Sequence, residues 1–336
     1  DVFVGGILEH IEMAGIHSGD SACCTPPFSL SLSLQEQLRD IARRLALRLG
    51  VVGLLNIQFA IKDQVIYVIE ANPRASRTVP FVSKSTGVPL AKCAALIMSG
   101  RSIESLGLPA DDRRMDYFCV KEAVMPWGRF PGANVVLGPE MKSTGEVMGI
   151  ASTYPEAYAK TQLAVSYELP KEGTVFISVC DRDKRHILPI ARTIQRLGFR
   201  IVSTEGTART LRGGNVRCEV VRKISEPHPN VGDMISNGEI ALIVNTPYGS
   251  ETRGDGYFMR TEAVKHGVTC VTALSGASAF TAARCTLLSM VSHTESPASG
   301  GSVTVVEVTL PVASVVTLSL PFLPRRVDSN TLSMPL

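Results

Sequence analysis

From residue 172 onward the chain settles into one rhythm, strand then helix then strand, and that alternation restricts its fold more than any other feature. "TVFISVC" is a continuous apolar run, and "RIVST" follows as another. Between them "DKRHILPIARTIQRLGF" sets apolar side chains at 187, 190, 191, 194 and 197, one helical face. Pro189 must sit in the first turn of that helix or bend it. The pattern repeats through "EGTARTLRGG" (helix), "CEVVRK" (strand), "NVGDMISNGE" (helix), "IALIVNT" (strand), "YFMRTEAVKHG" (helix) and "VTCVTAL" (strand). Strands this apolar, joined by helix-length crossovers, pack as a parallel sheet covered on both faces. The spacing therefore predicts a doubly wound α/β domain over 169–284.

The part before it reads as α+β. "SLQEQLRDIARRLALRLG", 33–50, has apolar residues at 34, 38, 41, 42, 45 and 49, Ser33 and Glu36 at capping-box spacing, and Gly50 to end the helix. "LLNIQFAI" and "VIYVIEA" flank Lys62-Asp63-Gln64 and predict an antiparallel hairpin. "PLAKCAALIMSG" predicts a second helix, "YFCVKEAVMP" and "EVMGIA" two strands, and "PEAYAKTQLA" a short helix with Pro155 in its first turn. "RFPGANVVLGPEMKSTG" reads as a loop, and Asp1 as entering a strand directly, in the middle of a fold. The expected divisions are 1–100, 101–168, 169–284 and an atypical tail over 285–336. That tail is rich in Ser, Val, Thr, Leu and Pro without helical period, and is expected to be mostly disordered.

Composition narrows the function classes. A formal net charge of +3 over 336 residues is too small to argue for nucleic acid or an anionic membrane surface. No apolar run reaches bilayer length, and the start has no basic signal-peptide region. The eight cysteines form no CxxC pair, and read as reduced, mostly buried thiols of a reducing compartment, the cytoplasm or a plastid.

Chemistry concentrates in "VIEANPRASRTVP", 68–80. Side chains alternate along a strand, so Glu70 and Asn72 share a face, and Gln58 on the preceding hairpin strand can lie opposite them. One carboxylate and two carboxamides suit Mg²⁺, which takes few protein oxygens and completes its shell with water and phosphate. Arg74 and Arg77 follow, and guanidinium groups bind phosphate and oppose charge on a phosphoryl group in transfer. The plainer account makes Glu70 and Arg74 a surface ion pair and Asn72-Pro73 a turn. A second stretch, "EHIEMAGIHSGDSACCTPP", offers Gly15 and Gly19 for close backbone approach, and His17 and Ser18 for contact with a ribose or adenine edge. Taken alone, His17 is an ordinary loop histidine.

Four stretches in order, "HIEMAGIHSGDSA", "NIQFAI", "VIEANPRASRTVPFVSKSTGVPLAK" and "LGPEMKSTGEVMG", resemble the large chain of carbamoyl phosphate synthetase, nearly continuously from 1 to about 280. The resemblance implies the C-terminal lobe of an ATP-grasp fold followed by a methylglyoxal-synthase-like (MGS-like) regulatory domain. It implies ATP and Mg²⁺ (or Mn²⁺) as cofactors, carbamate as substrate and carbamoyl phosphate as product, for pyrimidine and arginine biosynthesis. The implied partners are a glutaminase small subunit, the remainder of the large chain and a nucleotide effector, with no nucleic acid and no membrane. By motif, Gly15, Ile16, His17 and Ser18 fall on nucleotide contacts. Gln58, Glu70 and Asn72 fall on metal positions, with Gln58 and Glu70 also bordering the nucleotide. Arg77 falls on the arginine that holds the transferring phosphoryl group, and Arg74 on its neighbour. Glu12 and Asp20 fall where some bacterial members bind an amino-acid effector near Glu122; solvated acids are the alternative.

In the α/β domain, ligands of open sheets bind beyond the carboxyl ends of the strands. Thr204, Gly206 and Thr207 present donors to a phosphate at a helix start, Lys223 adds charge, and Asn245 and Thr246 close the site. The resemblance assigns this pocket to the nucleotide effector; the alternative is plain helix capping by Thr204 and Thr207. Two features depart from the family. Its upstream lobe and lid are not in this sequence, so the segment alone is expected to be inactive. After Ala283 no family motif follows where a closing helix is expected, which would leave one sheet face open. Two other readings stay in view: a non-catalytic effector-binding module with a structural ATP-grasp remnant, and another ATP-grasp ligase such as a biotin carboxylase, against which the α/β domain argues.

Overall fold

The computed structural model describes residues 1–12, 14–109, 115–130, 133–135, 137–165, 169–246, 251–293 and 325–326. The first lobe is built from β1 (Glu9–His10), β2 (Cys23–Thr25), α1 (Leu32–Arg48), β3 (Asn56–Lys62), β4 (Val65–Asn72), α2 (Thr78–Thr86) and α3 (Leu90–Met98). It continues through β5 (Phe118–Val124), β6 (Gly145–Ala151) and α4 (Tyr154–Ala164). Strands β1, β2, β5 and β6 pair antiparallel in that order, and β3–β4 form the expected hairpin.

The second unit comprises β7 (Thr174–Val179), α5 (Lys184–Arg196), β8 (Arg200–Ser203), α6 (Glu205–Gly213), β9 (Glu219–Val220) and α7 (Val231–Ser236). It is completed by β10 (Ile240–Thr246), α8 (Glu251–Lys265), β11 (Thr269–Val271) and α9 (Leu274–His293). Its sheet is parallel throughout, in the order β11-β10-β7-β8-β9. The chain winds outward from β7 first to one side and then to the other, so the carboxyl ends of β7 and β10 lie side by side where the winding reverses. This is the predicted doubly wound α/β fold. Two cores cover its faces, one with Ile187, Ile190, Ala191 and Ile194 of α5, the other with Val231, Ile235, Met259 and Ala263 of α7 and α8.

Several expectations need correcting. The first strand begins at Glu9; Phe3 to Leu8 are buried without regular structure. Helix α1 is capped by Ser31, whose Oγ accepts the Leu34 N–H at 3.3 Å, while Glu36 pairs instead with Arg39 and Arg43. Leu49 lies outside the buried stripe, 55% exposed. Helix α2 was not expected, and Pro189 lies inside α5 beyond its first turn. The closing helix thought to be missing after Ala283 is present, since α9 runs on to His293. Half of the cysteines are buried (Cys23, Cys24, Cys93, Cys119), three are half-buried and Cys285 is exposed; none is bridged. The disorder expected for the tail concerns residues that lie outside those described, except Arg325–Arg326 (β12), which pair antiparallel with β4. Pro247, Tyr248 and Gly249, at the end of the β10 motif, also lie outside them. Among the described residues no helix is long and apolar enough to cross a membrane.

Candidate functional site

The end of the β3–β4 hairpin gathers the polar groups. Gln58 stands directly opposite Glu70, and Asn56 opposite Asn72. A register shift between Gln58 and Phe59 leaves Ile69 as an extra residue on β4. Such a bulge changes which face the following residues present. Val68 before it and Ala71 after it both pack on the core beneath α1. Glu70 and Asn72 are thereby turned to the opposite face, with Asn56 and Gln58. Asn72 Nδ2 donates to Glu70 Oε1 at 2.8 Å, so the carboxylate and carboxamide meet. Asn56, Gln58 and Asn72 are all buried. Among the described residues no group of three or more His, Cys, Asp or Glu could hold a metal. A donor set of one carboxylate and amide oxygens fits Mg²⁺ or Mn²⁺ completed by phosphate, and does not fit a zinc-type site.

Arg74 follows the strand as an exposed side chain, its Nη1 donating to Ala75 O. Arg77 stands at the N-terminal cap of α2 and reaches across the chain, Nη1 donating to Ser143 Oγ at 3.3 Å. The glycine loop lies beside it. Gly15 has φ +104°, a conformation that glycine adopts freely. His17 N–H donates to Gly138 O at 2.8 Å, and His17 Nδ1 accepts the Gly19 N–H at 3.0 Å. Burial pushes the His17 pKa below its ordinary value, and Arg77, Lys121 and Arg74 push the same way against Asp20. Ser18 is buried, and its carbonyl accepts from Nζ of Lys121, a lysine only 1% exposed, at 3.0 Å. The structure therefore brings Gln58, Glu70 and Asn72 onto one face, and Arg77 against the loop that holds Gly15, Ile16, His17 and Ser18. Sequence reasoning missed Asn56, Lys121 and Ser143. Lys121 was signalled by "VKE", two charges inside an otherwise apolar strand.

A cavity of about 530 Å³ lies between part of the antiparallel sheet, α8 and the start of α9, and Glu12, Asp20 and Glu122 line it together with Arg260. Glu12 accepts the Ala22 N–H and Glu122 accepts from Gln162 Nε2, each at 2.7 Å. Burial, then the neighbouring Glu122, raises the Glu12 pKa to about 8; burial also raises that of Glu122. Asp20 differs from both. Its two oxygens accept the backbone N–H groups of Lys142 and Ser143, each at 2.8 Å, so its carboxylate is already used as a loop clamp.

In the α/β domain a second cavity, about 700 Å³, opens at the carboxyl ends of β7 and β10. All six predicted residues, Thr204, Gly206, Thr207, Lys223, Asn245 and Thr246, line it. The capping alternative fails here. Thr204 makes no side-chain cap bond to α6; its Oγ1 meets Ser178 Oγ, and Thr207 Oγ1 accepts the Val179 N–H. Asn245 is 6% exposed, and its Oδ1 accepts no hydrogen bond. Lys184, at the start of α5, also faces this cavity, in an ion pair with Asp181 at 2.6 Å. It was missed because nothing in "DKRH" separates it from a solvated lysine.

Comparison with known proteins adds to this geometry. Residues 6–106 match the family "Carbamoyl-phosphate synthase L chain, ATP binding domain", and residues 186–272 match "MGS-like domain". A carbamoyl phosphate synthase large chain of Pasteurella multocida is 51% identical over 281 residues, 83% of this chain and 26% of its own length. That of Methanothermobacter thermautotrophicus is 52% identical over 282 residues, with the same coverage. A "Carbamoyl phosphate synthase large chain, C-terminal section" of Methanopyrus kandleri is 52% identical over 286 residues, 83% of this chain and 53% of its own. The chain thus spans about a quarter to a half of the length of these relatives. The crystal structure of methylglyoxal synthase from Elizabethkingia anophelis covers 33% of this chain and 78% of its own, with TM-score 0.27 and 17% identity, too slight a likeness to add weight.

Proposed function

We propose, from the premise that this chain belongs to the carbamoyl phosphate synthase large-chain family, that its hairpin-end cluster serves ATP-dependent phosphorylation of carbamate. The observation that carries this reading is the convergence of Gln58, Glu70 and Asn72 on one face, with Arg77 turned toward the His17 loop. A carbamate oxygen would attack the γ-phosphorus of ATP, the bond to the β-bridging oxygen would break, and ADP would leave with carbamoyl phosphate formed. Gln58, Glu70 and Asn72 would hold Mg²⁺ or Mn²⁺, which when bound neutralises phosphate charge. Arg77, with Arg74 beside it, would oppose the charge on the transferring group. Gly15, Ile16, His17 and Ser18 would line the nucleotide, and Lys121 would fix that loop through the Ser18 carbonyl.

In this reading a glutaminase small subunit supplies ammonia and the rest of a large chain supplies carbamate, for pyrimidine and arginine biosynthesis. The cavity at β7 and β10 takes a nucleotide effector, its phosphate held by Thr204, Gly206, Thr207 and Lys223, with Lys184 added to that set. Asn245 and Thr246 close the same pocket. The cavity of Glu12 and Glu122 takes an amino-acid effector. Unbridged thiols are consistent with a reducing cytoplasm or plastid.

The test is Glu70→Gln and Arg77→Ala in a complete large chain. Each should lower carbamoyl phosphate formation from carbamate by about 100-fold or more, while bicarbonate-dependent ATP turnover continues. Parental output from either variant would remove the role assigned to that residue.

A further inference from the structure

We propose that Ser143 is a positioning residue that sets the Arg77 guanidinium for phosphoryl transfer. The proposal rests on the reading of Arg77 given above. Arg77 belongs to the segment after β4, yet both partners of its Nη1, Met141 Sδ at 2.7 Å and Ser143 Oγ at 3.3 Å, lie in the loop before β6. Ser143 is 5% exposed, and its single hydroxyl proton is committed, since Oγ donates to Gly19 O at 2.9 Å. Only its lone pairs remain, and Arg77 Nη1 donates to them at 3.3 Å. The hydroxyl thus offers the guanidinium an acceptor whose orientation is fixed by the nucleotide loop itself.

Asp20 holds the other side of this junction. It is 2% exposed, and it takes the N–H groups of Lys142 and Ser143 on its two oxygens. His17 N–H closes the loop's far end on Gly138 O. Gly19 sits at the centre. A Cβ there would come within 3.0 Å of Met141 Sδ, 3.1 Å of His17 Nδ1 and 3.2 Å of Arg77 Nη1. Two loops more than a hundred residues apart in sequence are therefore interlocked around the space into which Arg77 extends. A long, half-buried arginine still has several rotamers open to it, and fixing one near its target before reaction is where such a contact contributes to rate. A purely structural serine would be satisfied by Gly19 O alone.

The test uses a complete large chain with Ser143→Ala, Ser143→Cys, Arg77→Ala and the double variant Ser143→Ala/Arg77→Ala. Ser143→Cys keeps the volume but offers a weak acceptor, and serves if the alanine variant folds poorly. Ser143→Ala should lower kcat for carbamoyl phosphate formation by about tenfold to 100-fold, with KM for ATP–Mg little changed. Ser143→Cys should fall between it and the parent at the parent's melting temperature. In the Arg77→Ala background, Ser143→Ala should cause no further loss, because its effect passes through Arg77. A parental kcat in both Ser143 variants, or an undiminished loss in the Arg77→Ala background, overturns the positioning role. If Arg77→Ala itself retains the parental rate, the assignment of Arg77 fails and this proposal falls with it. An impaired Arg77→Ala beside an unimpaired Ser143→Ala sinks the positioning role alone.

Discussion

At the residue scale, titratable groups have been buried where the chain could have placed them in water. Glu12 shows the consequence for pH. Burial, then repulsion from Glu122, raises its pKa from 4.5 to about 8. Between those values the folded chain keeps a proton that the unfolded chain has released. Folding stability then falls as pH rises, and the stability present below about pH 4.5 is lost by about pH 8. Glu12→Gln removes this titration. We expect its melting temperature to fall less steeply than the parent's over that window, measured by circular dichroism at a series of pH values; parallel curves would contradict the burial of a protonated Glu12. The residues that sequence alone made legible were those with a period or a motif behind them. Glu70 and Asn72 followed from strand alternation, and Thr204 and Thr207 from their place after a strand. The extra residue at Ile69, which turns Glu70 away from the α1 core, has no signature in "VIYVIEAN". Ser143 and Lys184 were invisible because what they face, the Arg77 guanidinium and the cavity at β7 and β10, is brought to them only by the fold.

At the element scale, α4 lies on β6 with no side chain between them at one point. A Cβ at Gly149 would stand 2.1 Å from Ala157 O, a backbone atom that cannot rotate away. Ala157, Tyr158, Ala159, Thr161 and Gln162 form the buried face that this close approach seats. Gly149→Ala must push the helix off the sheet, and overpacking of this kind costs about 1–3 kcal/mol. Denaturant unfolding should show that loss as a lowered midpoint; an unchanged midpoint would mean that the contact is not made. The elements with a clear period were read correctly from sequence, among them α1, α5 and the β3–β4 hairpin. Helix α2 was missed because "TVPFVSKST" is short, β-branched and carries Pro80, features that argue for strand or loop until tertiary burial decides. Helix α9 was missed, and a closing helix was thought absent after Ala283, because the family motif ended there, although the helix runs from Leu274 to His293.

At the scale of the whole molecule, the two units share one interior. Ala279 of α9 packs with Ile11, Ala22, Cys24, Val120, Tyr154 and Tyr158 of the first lobe. Ser275 Oγ donates to Ile11 O at 2.9 Å, next to Glu12, and Arg284 Nη2 reaches Lys171 O. Phe280 and Ala283 of the same helix belong to the core of the α/β sheet, so α9 is a wall of both units. A helix shared in this way cannot unfold from one unit without opening the other. Heat should therefore unfold the chain in a single calorimetric transition. On the proposal that the cavity at β7 and β10 takes a nucleotide, UMP as the probe should raise that whole transition, by about 2.7 kcal/mol of stability at a concentration 100 times Kd. Two transitions, of which UMP moves only one, would show that α9 does not couple the units. On a complete large chain, parent against Glu70→Gln, the same measurement with ATP–Mg separates two functional readings, because a working hairpin-end cluster makes part of the rise depend on Glu70. A response to UMP beside an ATP–Mg rise that Glu70→Gln leaves unchanged would favour an effector-binding module over a phosphoryl-transfer site. The coupling through α9 would survive that outcome, since it depends on the shared core and not on the chemistry at Glu70.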